Sequence, residues 1–172
     1  MTAPNQRFLS LFDLEVQNRA FAYMGVEALG KRAVSDLDKA IFADWLAFEA
    51  FLQRAYAPMA KKYGVSQELR WQARLQARLA TLGAAILPDR FLTKITLNGT
   101  EKHLEKMHDL YKAAPDEDKE FFDFVVRQEQ VQVDSLKLRL EGKKRDAARL
   151  LADFTSRHQG DFPQDPTTDG TA

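Results

Sequence analysis

Residues Phe121–Leu140 read FFDFVVRQEQVQVDSLKLRL, and their pattern predicts an amphipathic helix. At about 100° per residue, six apolar side chains of this segment fall on one stripe: Phe121, Phe122, Val125, Val133, Leu136 and Leu140. Glu129 and Gln132 fall inside the same stripe. Because a buried carboxylate is costly without a partner, Glu129 indicates a buried cation, a bound metal, or a stripe that faces a wet groove.

Composition bounds the class of protein. The chain has 172 residues, enough for one domain with a real core. Its 25 basic and 25 acidic residues balance, so no global field attracts nucleic acid or an anionic membrane. It has no cysteine, no basic-then-apolar leader and no apolar run near the roughly 20 residues of a membrane span. We expect a soluble cytoplasmic protein, with residues 1–158 as a single domain and 159–172 as a disordered tail.

Sparse proline and glycine, with apolar residues recurring at three and four positions, predict an all-α protein. Ser35 followed by Asp38 resembles a capping box, and Pro58 is expected to kink or shorten the second helix. Arg70 begins an arginine row on the third helix that is expected to face solvent. The predicted helices cover residues 7–30, 36–63, 67–86, 90–114, 121–142 and 145–158, and residues 98–100 are a candidate break within the fourth.

Four glutamates reach a common level if the long helices pair as two antiparallel hairpins. The first hairpin carries Glu15 and Glu49, one on each side of its turn. The second hairpin carries Glu105 and Glu129 in the same way. At about 1.5 Å rise per residue, the two glutamates of each hairpin differ little in height. Each helix therefore offers one inward carboxylate.

This arrangement resembles a ferritin-like, rubrerythrin-type four-helix bundle, whose core builds a di-iron or di-manganese carboxylate site. That family has a lone Glu on its first and third bundle helices and Glu-x-x-His on its second and fourth. Glu15 and Glu105 match the two lone glutamates. The resemblance implies an up-down four-helix bundle over residues 8–142, with a long helical crossover at 67–97 and a short C-terminal helix after it.

The two Glu-x-x-His positions are altered in this chain. Glu49 begins the segment EAFL, which has Leu52 in place of the histidine. Glu129 begins the segment EQVQ, which has Gln132 in place of the histidine. Leucine cannot ligate a metal, so the resemblance implies a site that is either degenerate or rearranged.

One intact Glu-x-x-His does occur, at Glu105-Lys-Met-His108, where the family has only a lone Glu. His108 is expected near the centre of that helix face, whereas His103 is expected to point away into solvent. Tyr23 and Tyr111 follow lone glutamates, and these two tyrosines and Gln132 would act as outer partners of the ligands. A rearranged site would hold iron or manganese between five ligands: Glu15, Glu49, Glu105, His108 and Glu129.

Arg19 leaves a second interpretation open. It follows Glu15 by one helical turn, so it would neutralise a carboxylate and pair with Glu129 across the bundle. An inward Arg19 favours a metal-free bundle that acts as a binding or assembly module, expected as a homodimer. An outward Arg19 leaves room for an oxidoreductase or a metal-handling protein.

Overall fold

The computed structural model describes residues 5–70 and 87–162. Within these two ranges the chain forms no strand, so the predicted all-α class is confirmed. The helices of the described ranges are α1 (Gln6–Gly30), α2 (Asp36–Tyr63), α3 (Asp89–Ala113), α4 (Lys119–Leu140) and α5 (Lys144–His158), with a 3-10 turn at Asp116–Asp118.

Local chemistry sets the helix boundaries. The Ser35 hydroxyl accepts a hydrogen bond from the Asp38 amide at 3.0 Å, so the predicted cap of α2 is confirmed. Gly64 ends α2 with a φ of +66°, a left-handed conformation that favours glycine. Pro58 lies inside α2 without ending it. Helix α3 likewise runs unbroken through residues 98–100.

The third predicted helix differs from the structure at its start. Residues 67–70 are not helical. Arg70 is exposed as predicted, but it also pairs with Asp13 of α1 at 2.7 Å. This ion pair fastens the segment to α1. The rest of that prediction, including two of its three arginines, lies outside the described residues, as do positions 163–172 of the predicted tail.

The principal backbone contacts join the helices in a closed order: α1, α2, α5, α4, α3 and back to α1. Helix α5 therefore packs against both α2 and α4. This order does not establish the up-down four-helix bundle, which stays a prediction. None of the helices in the described ranges is long and apolar enough to cross a membrane.

One end of the core is filled by aromatic rings, and we call it the aromatic end (Phe8, Phe12, Tyr63, Phe121 and Phe122). The Phe8 and Phe122 rings meet nearly edge to face, with centroids 5.1 Å apart. Phe12 contacts the same Phe122 ring at 5.3 Å. All three side chains are fully buried. Five of the six apolar residues predicted to form the stripe of α4 are buried, and Leu140 at its end is half-buried.

Candidate functional site

Three helices bring three carboxyl groups together beyond the aromatic end. Glu15 of α1, Glu49 of α2 and Glu129 of α4 are 0%, 0% and 1% exposed. Each lies on the apolar stripe of its helix, so burying the stripe buries the carboxyl group with it. Three of the four glutamates predicted to point inward are therefore buried.

Arg19 lies at the centre of this group and is 3% exposed. Its Nε atom lies 3.1 Å from Glu15 Oε1. Its Nη1 atom lies 3.5 Å from Glu49 Oε1, and its Nη2 atom lies 3.1 Å from Glu129 Oε2. Arg19 therefore points inward, and its predicted pairing with Glu129 is confirmed.

Uncharged donors complete what we call the polar cluster (Glu15, Arg19, Glu49, Tyr56, His103, Gln128, Glu129 and Gln132). The Tyr56 hydroxyl donates to Glu15 Oε1 at 2.6 Å. The Gln132 amide donates to Gln128 Oε1 at 2.7 Å and to Glu129 Oε2 at 3.2 Å. Gln132, predicted as an outer partner, therefore holds Glu129 in place.

His103 belongs to the polar cluster, although the sequence predicted it to point into solvent. Its Nε2 atom lies 2.5 Å from Glu15 Oε2, so the prediction that it is solvated is wrong. One ligand atom each from Glu15, His103 and Glu129 lie within 4.8 Å of one another, a group that can hold a metal ion. The signal for His103 is its spacing, because Met107 and Leu110 follow it at four and seven positions on the buried face of α3.

Glu105 and His108 do not take the inward positions predicted for them. Both side chains are exposed, and no contact in the described ranges joins either to the polar cluster. The reason is helical register. At about 100° per residue, neither position shares the face that Met107 buries.

The two tyrosines predicted as outer donors also lie apart from the polar cluster. Tyr23 and Tyr111 are both half-buried, and within the described part of the chain no contact joins them to it. Tyr111 instead carries the Lys119 ammonium over its ring, 4.7 Å from the ring centre. Tyr56, which follows Glu49 by two turns on α2, supplies the phenol that was expected from them.

The three buried carboxyl groups differ in the direction of their pKa shifts. It raises the pKa of Glu49 to about 7, and the nearby Glu129 and Glu15 charges add to burial against the lowering by Arg19. Burial also raises the pKa of Glu129, again against Arg19. Burial acts on Glu15 too, but Arg19 and His103 outweigh it and hold the pKa of Glu15 below its usual value. Near neutral pH the Glu49 carboxyl group is therefore present in both its protonated and its ionised form.

A cavity of about 470 Å³ opens beside the polar cluster, between α1, α2, α3 and α4. Arg19, Glu49, His103 and Glu129 line its inner end. Small-molecule sites typically enclose about 300–1,000 Å³, so the cavity has the size of a ligand site. Its walls are mostly apolar and include Phe21, Val26, Phe42, Trp45, Leu92 and Leu136.

Fold and site together define an all-α protein with a buried carboxylate cluster beside a mostly apolar cavity. Comparison with known proteins finds no matching family model, no matching curated protein and no matching solved structure. The ferritin-like resemblance therefore rests on the residues of this chain alone.

Proposed function

We propose that the protein binds one divalent metal ion, iron or manganese, through Glu15, His103 and Glu129. The observation that carries the proposal is the approach of these three ligand atoms to within 4.8 Å of one another. One imidazole and two carboxylates form a ligand set that suits manganese or iron(II). The proposed site keeps Glu15 and Glu129 of the ferritin-like pattern and replaces Glu105 and His108 with His103.

Charge supports one ion rather than two. Ionised Glu15, Glu49 and Glu129 carry three negative charges, and Arg19 returns one positive charge, which leaves a net charge of minus two. A single divalent cation balances that sum without any carboxyl proton. Buried charge is tolerated only when it is compensated. Arg19 would therefore take the place of the second ion of a di-metal site.

The polar cluster also holds the proposed ligands in place. Tyr56 and Gln128 donate to Glu15 Oε1 at 2.6 and 3.3 Å, which leaves Glu15 Oε2 directed at His103. Such outer partners orient metal ligands and tune their affinity. Bound iron or manganese would supply one-electron chemistry with oxygen or peroxide, and the cavity would give a small molecule access. We infer an oxidoreductase or a metal-handling protein of ferritin-like type.

Elemental analysis after anaerobic loading with iron(II) or manganese(II) tests this proposal. We expect close to one ion per chain, and we expect His103→Gln to lose most of it. The matched control is the double variant Glu105→Gln with His108→Gln, because these side chains have the same chemistry but are exposed. Two ions per chain would overturn the role assigned to Arg19, and a total absence of retained metal would overturn the proposal.

The inward position of Arg19 favours a second candidate, a metal-free bundle that acts as a binding or assembly module, expected as a homodimer. Here the Arg19 guanidinium of α1, without a metal ion, pairs with Glu49 of α2 and Glu129 of α4 and so joins the three helices. Arg19→Met distinguishes the two functions. Under the metal proposal, manganese restores much of the melting temperature that the variant loses, because the freed carboxylates take up cation. Under the metal-free alternative, the loss is the same with manganese and with chelator.

A further inference from the structure

Four buried polar atoms in the described part of the chain lack a hydrogen-bond partner and belong to residues that line the cavity. One is Arg19 Nε, which still lies in an ion pair with Glu15 Oε1 at 3.1 Å. The other three are Trp45 Nε1, Glu49 Oε2 and Arg139 Nε. The Glu49 side chain is 1% exposed and the Arg139 side chain is 8% exposed. Buried polar groups are nearly always hydrogen-bonded. Two donors and one acceptor at one cavity therefore indicate a bound molecule that completes them.

The three atoms lie at two levels of the cavity. Trp45 and Glu49 are one turn apart on α2, which corresponds to about 6 Å along the axis. The Arg139 guanidinium lies 5.7 Å from the Trp45 ring centre, and therefore at the Trp45 level. The outer level thus offers two N–H donors, and the inner level offers one carboxyl oxygen.

The charges at both levels exclude an anionic ligand. Arg139 pairs with Asp89 at 2.5 Å, and Lys144 bridges Asp89 and Asp38 at 3.2 and 3.1 Å. These two cations and two anions balance at the outer level. The inner level carries the carboxyl groups of the polar cluster. A ligand that carries an uncharged acceptor outside and an uncharged donor inside matches this distribution.

Two residues of the cavity wall are glycines, which carry no side chain to occupy the cavity. Gly25 of α1 and Gly99 of α3 line the cavity from helix interiors. A Cβ atom built on either glycine meets no described atom within 4 Å. Glycine weakens a helix interior relative to alanine, and neither position has a close backbone contact that requires it. Gly25 is half-buried and Gly99 is exposed, so the open space beside them is where an apolar part of a ligand would lie.

We propose that the cavity binds an elongated, uncharged and largely apolar small molecule. Its hydroxyl group donates to Glu49 Oε2, and its carbonyl oxygen accepts from Trp45 Nε1 and Arg139 Nε. The Phe42 and Trp45 rings flank the part of the molecule between the two oxygens, and an apolar tail fills the space beside Gly25 and Gly99. This ligand goes beyond the proposed metal function and does not require the metal.

Isothermal titration calorimetry with para-hydroxyphenyl heptyl ketone tests the proposal, because its aromatic ring separates a hydroxyl group from a carbonyl oxygen. We expect one molecule per chain. The para-methoxy analogue lacks the donor for Glu49, and Trp45→Phe lacks the donor for the carbonyl oxygen. Each change should weaken binding about tenfold or more, the equivalent of one lost hydrogen bond.

The variant Gly99→Leu tests whether the ketone binds in the cavity or on another apolar surface. The variant fills empty space in a helix, so it should fold with a melting temperature at least equal to that of the parent and bind no ketone. Lys102→Leu is the matched control, since it adds the same side chain to α3 at an exposed position that does not line the cavity. It should bind normally.

Equal binding of the hydroxy and methoxy ketones, equal binding by Gly99→Leu, or no ketone binding at all would each overturn the proposal. The titration is run on chelator-treated and on manganese-loaded protein, and metal content is measured separately. Ketone binding without metal uptake would overturn the metal function alone. Metal uptake without ketone binding would overturn the ligand proposal alone.

Discussion

The aromatic end and the polar cluster lie on the same helices, but one is closely packed and apolar whereas the other is charged and borders a cavity. At the aromatic end, Phe8, Phe12 and Phe122 interlock with no exposed surface. One to two turns further along α1, Glu15 and Arg19 place charges in the core beside a cavity of about 470 Å³. Replacing buried ion pairs with apolar side chains is often neutral or stabilising. The packed end therefore maintains the fold, whereas the polar cluster is best explained by a function.

Phe122→Ala should give the largest loss of stability, because it removes a ring from the close packing of the aromatic end. The ring is fully buried and contacts Phe8 and Phe12 edge to face. Truncating such a ring costs about 3–5 kcal/mol, measured as the free energy of unfolding in urea. Metal content of the folded fraction should not change. A loss below about 1 kcal/mol would show that the aromatic end is loosely packed.

The pH dependence of stability should report on the buried charges of the polar cluster. Glu49 has a pKa raised from 4.5 to about 7 in the folded protein, so folding favours its protonated form. Its contribution is full below about pH 4.5 and is lost as the pH rises through about 7. At about 1.4 kcal/mol per pKa unit, the loss is on the order of 3 kcal/mol.

Glu49→Gln isolates this contribution. In chelator, the unfolding free energy of the variant should gain on that of the parent between about pH 5 and pH 8, since glutamine does not titrate. Glu105→Gln, which changes an exposed carboxyl group, should follow the parent at every pH. Parallel curves for Glu49→Gln and the parent would show that Glu49 is ionised throughout.

Sequence periodicity predicted the inward carboxylates where the apolar stripe is unambiguous. In α4 six apolar residues share one stripe with Glu129, so the sequence placed this carboxylate on that stripe, with a wet groove as the alternative to burial. In α3 apolar residues are fewer, and the choice between His103 and His108 turned on a rotation of less than half a turn. Tertiary packing of α3 against both α1 and α4 decided it.

The cavity was beyond sequence reasoning for a different reason. An empty space is defined by side chains that are absent, and Gly25 and Gly99 resemble ordinary helix interruptions in a linear pattern. Their significance depends on the two helices facing each other across the cavity. Likewise, Tyr56 reads as one more apolar residue on α2 until its hydroxyl is placed against Glu15.

Tyr56→Phe should give an intermediate effect, because it keeps the packing and removes one donor from the polar cluster. The hydroxyl donates to Glu15 Oε1 at 2.6 Å in a fully buried setting. Loss of a hydrogen bond to a charged group costs about 1.5–3 kcal/mol in unfolding experiments. Tyr63→Phe is the matched control, since its hydroxyl donates to Asp118 away from the polar cluster. Manganese affinity should fall in Tyr56→Phe and stay unchanged in Tyr63→Phe.

Gly99→Ala should give the smallest effect and the sharpest contrast with Phe122→Ala. Alanine is favoured over glycine in a helix interior by about 0.5–1 kcal/mol, and the added Cβ meets no described atom within 4 Å. The variant should therefore be more stable by that amount in urea. Gly64→Ala provides the opposite sign, because the φ of +66° at Gly64 disfavours a side chain. A stabilising Gly99→Ala means that the cavity wall is held below its attainable stability. A comparable gain in stability is not expected at the aromatic end, because every side chain there already contacts another.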